Sequence, residues 1–223
     1  MTQQLVPNNI AYAHVRETVT DLLTGKPDLA DTPIPACPGW TARDLFGHLV
    51  EVCAHAMGQM TGIPQPFSAR GLDIHQIADA WDARADQADR LLADGGGRLG
   101  RVGVMDAFTH ELDLRYALGL PLPIDTHPAV PRAFDVVISG LAASITTHDL
   151  PALRLVTPTD TWIAGEGDPD ATLTADRLTL YRTLAGRRAP TQMARLDWTG
   201  DPHRWIPAFT WGPFHPATAA PES

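Results

Sequence analysis

The sequence predicts an α+β protein, in which an N-terminal four-helix bundle is followed by a small C-terminal α+β domain. Two patterns carry this prediction. Apolar residues recur at helical spacing in four segments of the first half, and short segments of alternating character follow in the second half. With 223 residues, of which 44% are hydrophobic and 19% charged, the chain is long enough for two units that each bury a core.

The first predicted helix runs from Asn8 to Gly25. Asn8 or Asn9 is the expected N-cap, because an asparagine side chain there accepts a hydrogen bond from a free backbone N–H of the first turn. Gly25 ends the helix, since glycine readily adopts the C-cap conformation. The following Lys26 and Pro27 fit this end, because proline prevents the helix from continuing.

The second predicted helix has the strongest start signal in the chain. Thr41 and Asp44 have the spacing of a capping box, and Trp40 and Leu45 have the spacing of a hydrophobic staple. His48 then falls on the inward face of this helix, among aliphatic residues. A lone histidine on such a face is more often a hydrogen-bonded core residue than a metal ligand.

The third predicted helix, Asp73 to Asp94, has apolar residues inward and many charged residues outward, as is typical of a solvated face. It ends at three consecutive glycines, Gly95 to Gly97. These glycines do not form a phosphate-binding loop, because no strand precedes them and the lysine and hydroxyl residues of such loops do not follow.

The fourth predicted helix begins near Leu99 and ends at Gly119. Asp106, His110 and Asp113 recur in it at spacings of four and three, so they lie along one face. The other faces are largely apolar, which indicates a buried helix whose polar stripe needs partners such as a metal ion. A solvated stripe on a surface helix is the alternative.

A metal site can be built from these helices. Asp106 and His110 can hold one ion from a single helix, and His48 can complete the set from a facing helix of the bundle. Two imidazoles and one carboxylate leave a coordination position open, as in catalytic zinc sites, although Fe(II) and Ni(II) accept the same ligands. Asp113 is placed to orient an imidazole as a hydrogen-bond acceptor or to pair with an arginine.

The domain boundary is predicted between Leu122 and Pro131, with residues 1–125 in the bundle and residues 126–223 in the second domain. The second domain is expected to begin with a helix and to continue with short strands, separated by turns, and two further helical segments. These elements are predicted at Arg132–Ile145, Leu153–Thr157, Thr161–Ala164, Ala171–Thr174, Asp176–Gly186, Ala194–Thr199 and Asp201–Phe209.

Charge and composition exclude several classes of partner. A net charge of -9 without a basic patch argues against nucleic acid. No apolar run approaches the ~18 residues of a membrane span, and the first residues lack the features of a secretory signal. The two cysteines, Cys37 and Cys53, are too few for a disulfide framework, so reduced thiols in a cytoplasmic protein are expected.

Two motifs and one longer segment carry a family resemblance. The motifs are PACPGWTARDLFGHL at Pro35–Leu49 and THELDLRYALG at Thr109–Gly119, and the segment runs from Leu153 to Arg188. They resemble the maleylpyruvate isomerase-like, mycothiol-dependent enzymes of the DinB/YfiT-like superfamily, including the C-terminal domain of many members. The resemblance implies a DinB-like bundle in which His48, Asp106 and His110 hold a divalent metal, usually zinc. The family often has glutamate where this chain has the shorter Asp106.

The resemblance also implies a function. A low-molecular-weight thiol, mycothiol, would ionise at the open metal position and attack a small electrophile, in an isomerase or an S-transferase. Asp113, Arg187 and Arg188 are the candidate catalytic residues, and the two arginines either hold a carboxylate or form a solvated helix end. A non-catalytic metal-binding bundle with a regulatory or sequestering role and a metal-dependent hydrolase are the alternatives. A monomer or small homo-oligomer is expected.

Overall fold

The computed structural model describes residues 6–221. They divide into two compact units, one ending at Ala133 and the other beginning at Phe134. The first unit is helical and the second contains a small mixed sheet, which confirms the predicted α+β class. The domain boundary at residues 125 and 126 remains a prediction. Within residues 6–221, no helix is both long enough and apolar enough to cross a membrane.

Four long helices form the first unit, and both α1 and α2 pack against α3 and α4. The predicted four-helix bundle is therefore confirmed. The helices are α1 (Asn8–Thr24), α2 (Ala42–Thr61), α3 (Ile74–Ala93) and α4 (Gly97–Ala117), and a short 3-10 helix at Pro27–Asp31 follows α1.

The capping box predicted at the start of α2 is present. The side chain of Thr41 accepts a hydrogen bond from the backbone N–H of Asp44, and the carboxylate of Asp44 accepts one from the backbone N–H of Thr41. The helix ends at Gly62 in the left-handed conformation, with φ 71°, where glycine carries no steric cost. The two caps define where α2, the helix that carries His48, begins and ends.

The predicted N-cap of α1 is wrong. Pro7 occupies the cap position without a side-chain cap, and Asn8 is the first helical residue, 5% exposed. The Asn8 amide donates to the carbonyl of Gly95 at 2.9 Å and accepts from Arg132 Nε at 2.9 Å. The Asn8 side chain therefore does not cap α1. It connects α1 to the segment before α4, through Gly95, and to the start of α5, through Arg132.

Aromatic side chains form the centre of the bundle. Trp81 of α3 is 1% exposed, and its ring centroid lies 5.8 Å from that of Phe46 and 6.1 Å from that of Tyr12. Its indole N–H donates to the Tyr12 hydroxyl at 3.3 Å, so the buried polar atoms of this cluster are paired. The cluster joins α1, α2 and α3 and thereby holds α2 in place.

The second unit contains most of α5 (Val130–Thr147), which begins in the first unit, and a four-stranded sheet with the order β2-β1-β3-β4. The central strands β1 and β3 are parallel, and each outer strand is antiparallel to its neighbour. The remaining elements are β1 (Leu153–Val156), β2 (Thr161–Ala164), β3 (Ala171–Thr174), α6 (Arg177–Leu184), α7 (Pro190–Met193), β4 (Asp197–Thr199) and α8 (Pro202–Trp205), with a 3-10 helix at Ile206–Phe209.

The sheet of the second unit packs one face into an apolar core. Leu153, Leu155 and Leu173 alternate with more exposed residues along β1 and β3 and are fully buried. The fourth strand is shorter than predicted, because Pro190–Met193 forms a helical turn and pairing with β3 begins only at Asp197.

Candidate metal site

Three side chains from two helices meet in the bundle. His48 lies in the second turn of α2, and Asp106 and His110 lie one turn apart in the middle of α4. One ligand atom of each residue lies within 4.8 Å of the other two. The imidazole centroids of His48 and His110 are 5.0 Å apart. The geometry thus brings together the three residues that the sequence analysis selected as metal ligands.

One carboxylate oxygen of Asp106 is buried without a hydrogen-bond partner among the described residues, as expected of a residue that binds a cation. Its Oδ1 atom lies 3.8 Å from Nε2 of His110, too far for a good hydrogen bond. Its Oδ2 atom is buried and has no hydrogen-bond partner among the described residues. Because an unpaired buried carboxylate oxygen is costly, a bound cation is a fitting partner for this atom.

His110 is held by a carboxylate on its other side. Its Nδ1 atom lies 3.1 Å from Oδ2 of Asp113, one turn further along α4, and the Asp113 side chain is completely buried. A carboxylate only accepts hydrogen bonds, so Nδ1 carries the hydrogen and Nε2 is left toward Asp106 and His48. Asp113 therefore lies in the position expected for a residue that orients His110.

Two residues that the sequence analysis did not assign to the site also contact it. The Cys37 thiol donates to Asp113 Oδ2 at 3.6 Å, and its sulfur lies 3.9 Å from His110 Nδ1. The Trp40 ring lies 4.8 Å from the His48 ring and 5.9 Å from the His110 ring. Both residues belong to the proline-rich segment before α2. The sequence signal that could have pointed to them is that they lie in the same motif, Pro35–Leu49, as His48.

The same contacts set the protonation of the two histidines. Burial lowers the pKa of His110, but the hydrogen bonds to Asp113 and Cys37 and the charge of Asp106 outweigh burial and raise this pKa to about 9. Burial, followed by the positive charge of His110, lowers the pKa of His48 below its usual 6.5. Without a metal, the positive charge is therefore carried by His110, between two carboxylates that also favour a bound cation.

Arg187 and Arg188 belong to the second unit, so their proposed substrate contacts remain predictions. Arg187 is 8% exposed, donates to the carbonyl of Ala185 at 2.7 Å and lies over the Phe214 ring. Arg188 is half-buried and donates to the carbonyl of Arg187 at 3.0 Å. Neither arginine is a fully solvated residue at a helix end.

The fold and the site together define a class: a four-helix bundle protein with a three-ligand candidate metal centre, followed by a mixed α+β unit. The three candidate ligands come from two helices, and within residues 6–221 no fourth candidate belongs to this group, although His110 also forms a second group with Cys37 and Asp113. Such a set resembles an open catalytic centre more than a closed structural one.

Comparison with known proteins supports the resemblance described above. Residues 12–99 match the family model described as "Mycothiol maleylpyruvate isomerase N-terminal domain". His48 lies within the match, whereas Asp106 and His110 follow its end. The predicted resemblance to this family is thus confirmed over the first three helices. Comparison with curated proteins gives no match.

Two solved structures share the fold. They are the crystal structures of the mycothiol-dependent maleylpyruvate isomerase and of its histidine-to-alanine mutant, each with a TM-score of 0.53 and 15% sequence identity to this chain. The alignments cover 82% and 81% of this chain and 90% of the other chain. The similarity therefore extends over most of both chains, and at this identity it concerns the fold.

Proposed function

We propose that this chain is a metal-dependent enzyme that uses a low-molecular-weight thiol, mycothiol, either to isomerise a small electrophilic substrate or to convert it into a thioether of the thiol. The observation that carries the proposal is the meeting of His48, Asp106 and His110, with ligand atoms within 4.8 Å of one another. The match of residues 12–99 to a mycothiol-dependent isomerase domain supports the choice of thiol.

The residues around this site suit a divalent cation and an ionised thiol. Zinc held by His48, Asp106 and His110 would supply a position at which a thiol ionises at neutral pH. Asp113 accepts the Nδ1 hydrogen of His110 and keeps the Nε2 lone pair directed toward the site. The Trp40 ring packs beside both imidazoles.

A polar groove beside His48 offers room for the thiol. Its volume is about 510 Å³, and its polar lining comprises Trp40, Arg43, Asp44, His48, Glu51, Arg70 and Asp73. Two arginines and three carboxylates suit a hydroxyl-rich or amide-rich molecule better than an apolar one. The thiol would therefore reach the site from the His48 side.

Metal content tests the site directly. We expect purified wild-type protein to bind one zinc per chain and His48→Ala and His110→Ala to lose it, as measured by inductively coupled plasma mass spectrometry after dialysis. His55→Ala is the matched control, because His55 lies on α2 but is exposed and contacts Gln59. Stoichiometric zinc in both variants would show that His48 and His110 do not bind the metal.

Thiol dependence tests the reaction class. We expect zinc-loaded protein to accelerate the loss of mycothiol with chlorodinitrobenzene or the isomerisation of maleylpyruvate, and His110→Ala to lose at least a hundredfold in rate. Turnover of esters that needs no thiol would instead favour the metal-dependent hydrolase. Zinc-loaded protein without thiol turnover on any electrophile would contradict the proposal.

A further inference from the structure

Cys37 contacts His110 on the side of the ring that faces away from the other candidate ligands. Its sulfur lies 3.9 Å from His110 Nδ1 and 3.6 Å from Asp113 Oδ2, the same oxygen that lies 3.1 Å from Nδ1. The other ring nitrogen, Nε2, faces Asp106 Oδ1 at 3.8 Å. The two nitrogens of an imidazole point in different directions, so an ion held at Nε2 is out of reach of Cys37. Cys37 therefore contacts the partner of the ligand and not the metal position.

The loop formed by residues 34–40 fixes the position of Cys37. The backbone N–H of Cys37 donates to the carbonyl of Ile34 at 3.0 Å, and its carbonyl accepts from the N–H of Trp40 at 2.9 Å. The N–H of Ile34 donates to the carbonyl of Trp40 at 2.9 Å, and the Ile34 side chain is 2% exposed and anchors the loop in the core. A side chain on a loop closed in this way loses little conformational freedom when it holds a partner.

The Asp113 carboxylate depends on nearby donors for its orientation. Its side chain is completely buried, whereas Cys37 is half-buried. A carboxylate only accepts hydrogen bonds, and Oδ2 faces two donors, Nδ1–H of His110 and the Cys37 thiol. A thiol is a weak donor, so it can hold this oxygen in place while the stronger hydrogen bond remains with the imidazole.

We infer that Cys37 is a positioning residue, whose thiol holds the Asp113 carboxylate against Nδ1 of His110 and thereby keeps Nε2 directed toward the metal position. Its effect on metal binding rests on the proposed function, whereas the contact itself can be measured in metal-free protein. In this role Cys37 neither binds the metal nor touches the substrate. It acts through Asp113, and removing the thiol matters only while that carboxylate is present.

Zinc affinity in a series of folded variants tests this role, with a chromophoric chelator as competitor. We expect Cys37→Ala and Cys37→Val to bind zinc about three- to tenfold more weakly, because a weak donor contributes less than a charged orienting residue. Valine fills the space without a donor, so the pair separates hydrogen bonding from packing. Cys37→Ser restores a donor and should stay within about twofold of wild type. Cys53→Ala is the matched control, because the Cys53 thiol is buried on α2 and donates to Met57 Sδ at 3.6 Å.

A double-mutant cycle tests whether Cys37 acts through Asp113. In the Asp113→Asn background, Cys37→Ala should change the zinc affinity by less than about twofold, although it weakens zinc binding of the otherwise wild-type chain by about threefold or more. Residues that act independently would give additive effects. Additive losses in the double variant would therefore overturn the inference.

Cobalt(II) in place of zinc distinguishes a positioning residue from a metal ligand. A thiolate bound to cobalt(II) gives an intense charge-transfer band in the near ultraviolet, which imidazole and carboxylate ligands do not give. We expect no such band in wild-type protein without added thiol. A band in wild type that disappears in Cys37→Ser would make Cys37 a ligand and overturn the inference.

The Nδ1 proton of His110 reports on the contact without any metal. In protein labelled with nitrogen-15 at histidine, we expect this proton to be protected from exchange with water in wild type and in Cys37→Ser. Cys37→Ala should accelerate its exchange at least about fivefold, because the pair of His110 and Asp113 opens more often once the thiol is lost. Cys53→Ala should leave the exchange rate unchanged.

The two proposals fail in different ways. Wild-type zinc affinity and proton exchange in Cys37→Ala would overturn the role of Cys37 and leave the metal site intact. Zinc binding by Cys37→Ser that is as weak as that of Cys37→Ala would also overturn it. Stoichiometric zinc in His48→Ala and His110→Ala would contradict the proposed function, and the exchange of the Nδ1 proton would still decide whether Cys37 holds Asp113 in place.

Discussion

Replacing Asp113 with asparagine tests whether a buried carboxylate positions a metal-binding ring. Asp113 is completely buried, and its Oδ2 atom lies 3.1 Å from Nδ1 of His110. Asparagine has a similar size but no charge, so the variant removes the charge-assisted part of the hydrogen bond. Such a bond contributes about 1.5–3 kcal/mol, which corresponds to a factor of about 10–100 in an equilibrium constant.

We therefore expect Asp113→Asn to weaken zinc binding about 10- to 100-fold, the range typical of residues that orient metal ligands. Competition with a chromophoric chelator measures the affinity, and circular dichroism establishes that each variant is folded. Asp79→Asn is the control, because Asp79 is exposed on α3 and should bind zinc as wild type does. A folded Asp113→Asn variant with wild-type affinity, within about twofold, would refute the reasoning.

Two further predictions concern stability. Glu111 is fully buried, with Arg115 Nε at 2.7 Å and His127 Nε2 at 3.0 Å, so Glu111→Ala should lower the free energy of unfolding by about 3 kcal/mol or more in urea titrations. Hydrogen bonds from the backbone and hydroxyl of Thr41 lower the pKa of Asp44 below its usual 3.8. This stabilisation is present above the usual value and is lost as the pH falls through the folded-state pKa. The stability difference between wild type and Asp44→Asn should thus shrink below about pH 4.

Both stability predictions have clear controls. Asp31→Ala removes an exposed ion pair with Arg43, and a loss of at most about 1 kcal/mol is expected there. An equal loss in Asp31→Ala and Glu111→Ala would contradict the role assigned to burial. A difference between wild type and Asp44→Asn that grows on acidification would contradict the assignment of the capping carboxylate.

Elements with local signals could be predicted from the sequence. The capping box of Thr41 and Asp44 involves atoms three residues apart, and helical spacing alone puts Asp106 and His110 on one face of α4. The N-cap of α1 was wrong because the favourable residue, Asn8, forms hydrogen bonds to distant segments. A local propensity of about 1 kcal/mol is readily outweighed by such tertiary contacts.

The contacts of His110 illustrate what local patterns miss. Asp113 is on the same helix and could be selected by its spacing, whereas Cys37 comes from a loop 73 residues away in sequence. Nothing in the spacing of a single cysteine indicates that its thiol lies beside an imidazole. The strand order of the sheet, with β1 and β3 parallel at its centre, likewise depends on pairing between distant segments.

The sequence by itself determined the helices, their inward faces and the pairing of a carboxylate with an imidazole one turn apart, because these features depend on a fixed helical repeat. The tertiary structure decided that His48 faces this pair and that Trp40 and Cys37 complete its surroundings. These features depend on how α2 and α4 pack against each other, and that packing is set by the combined burial of many side chains across the bundle.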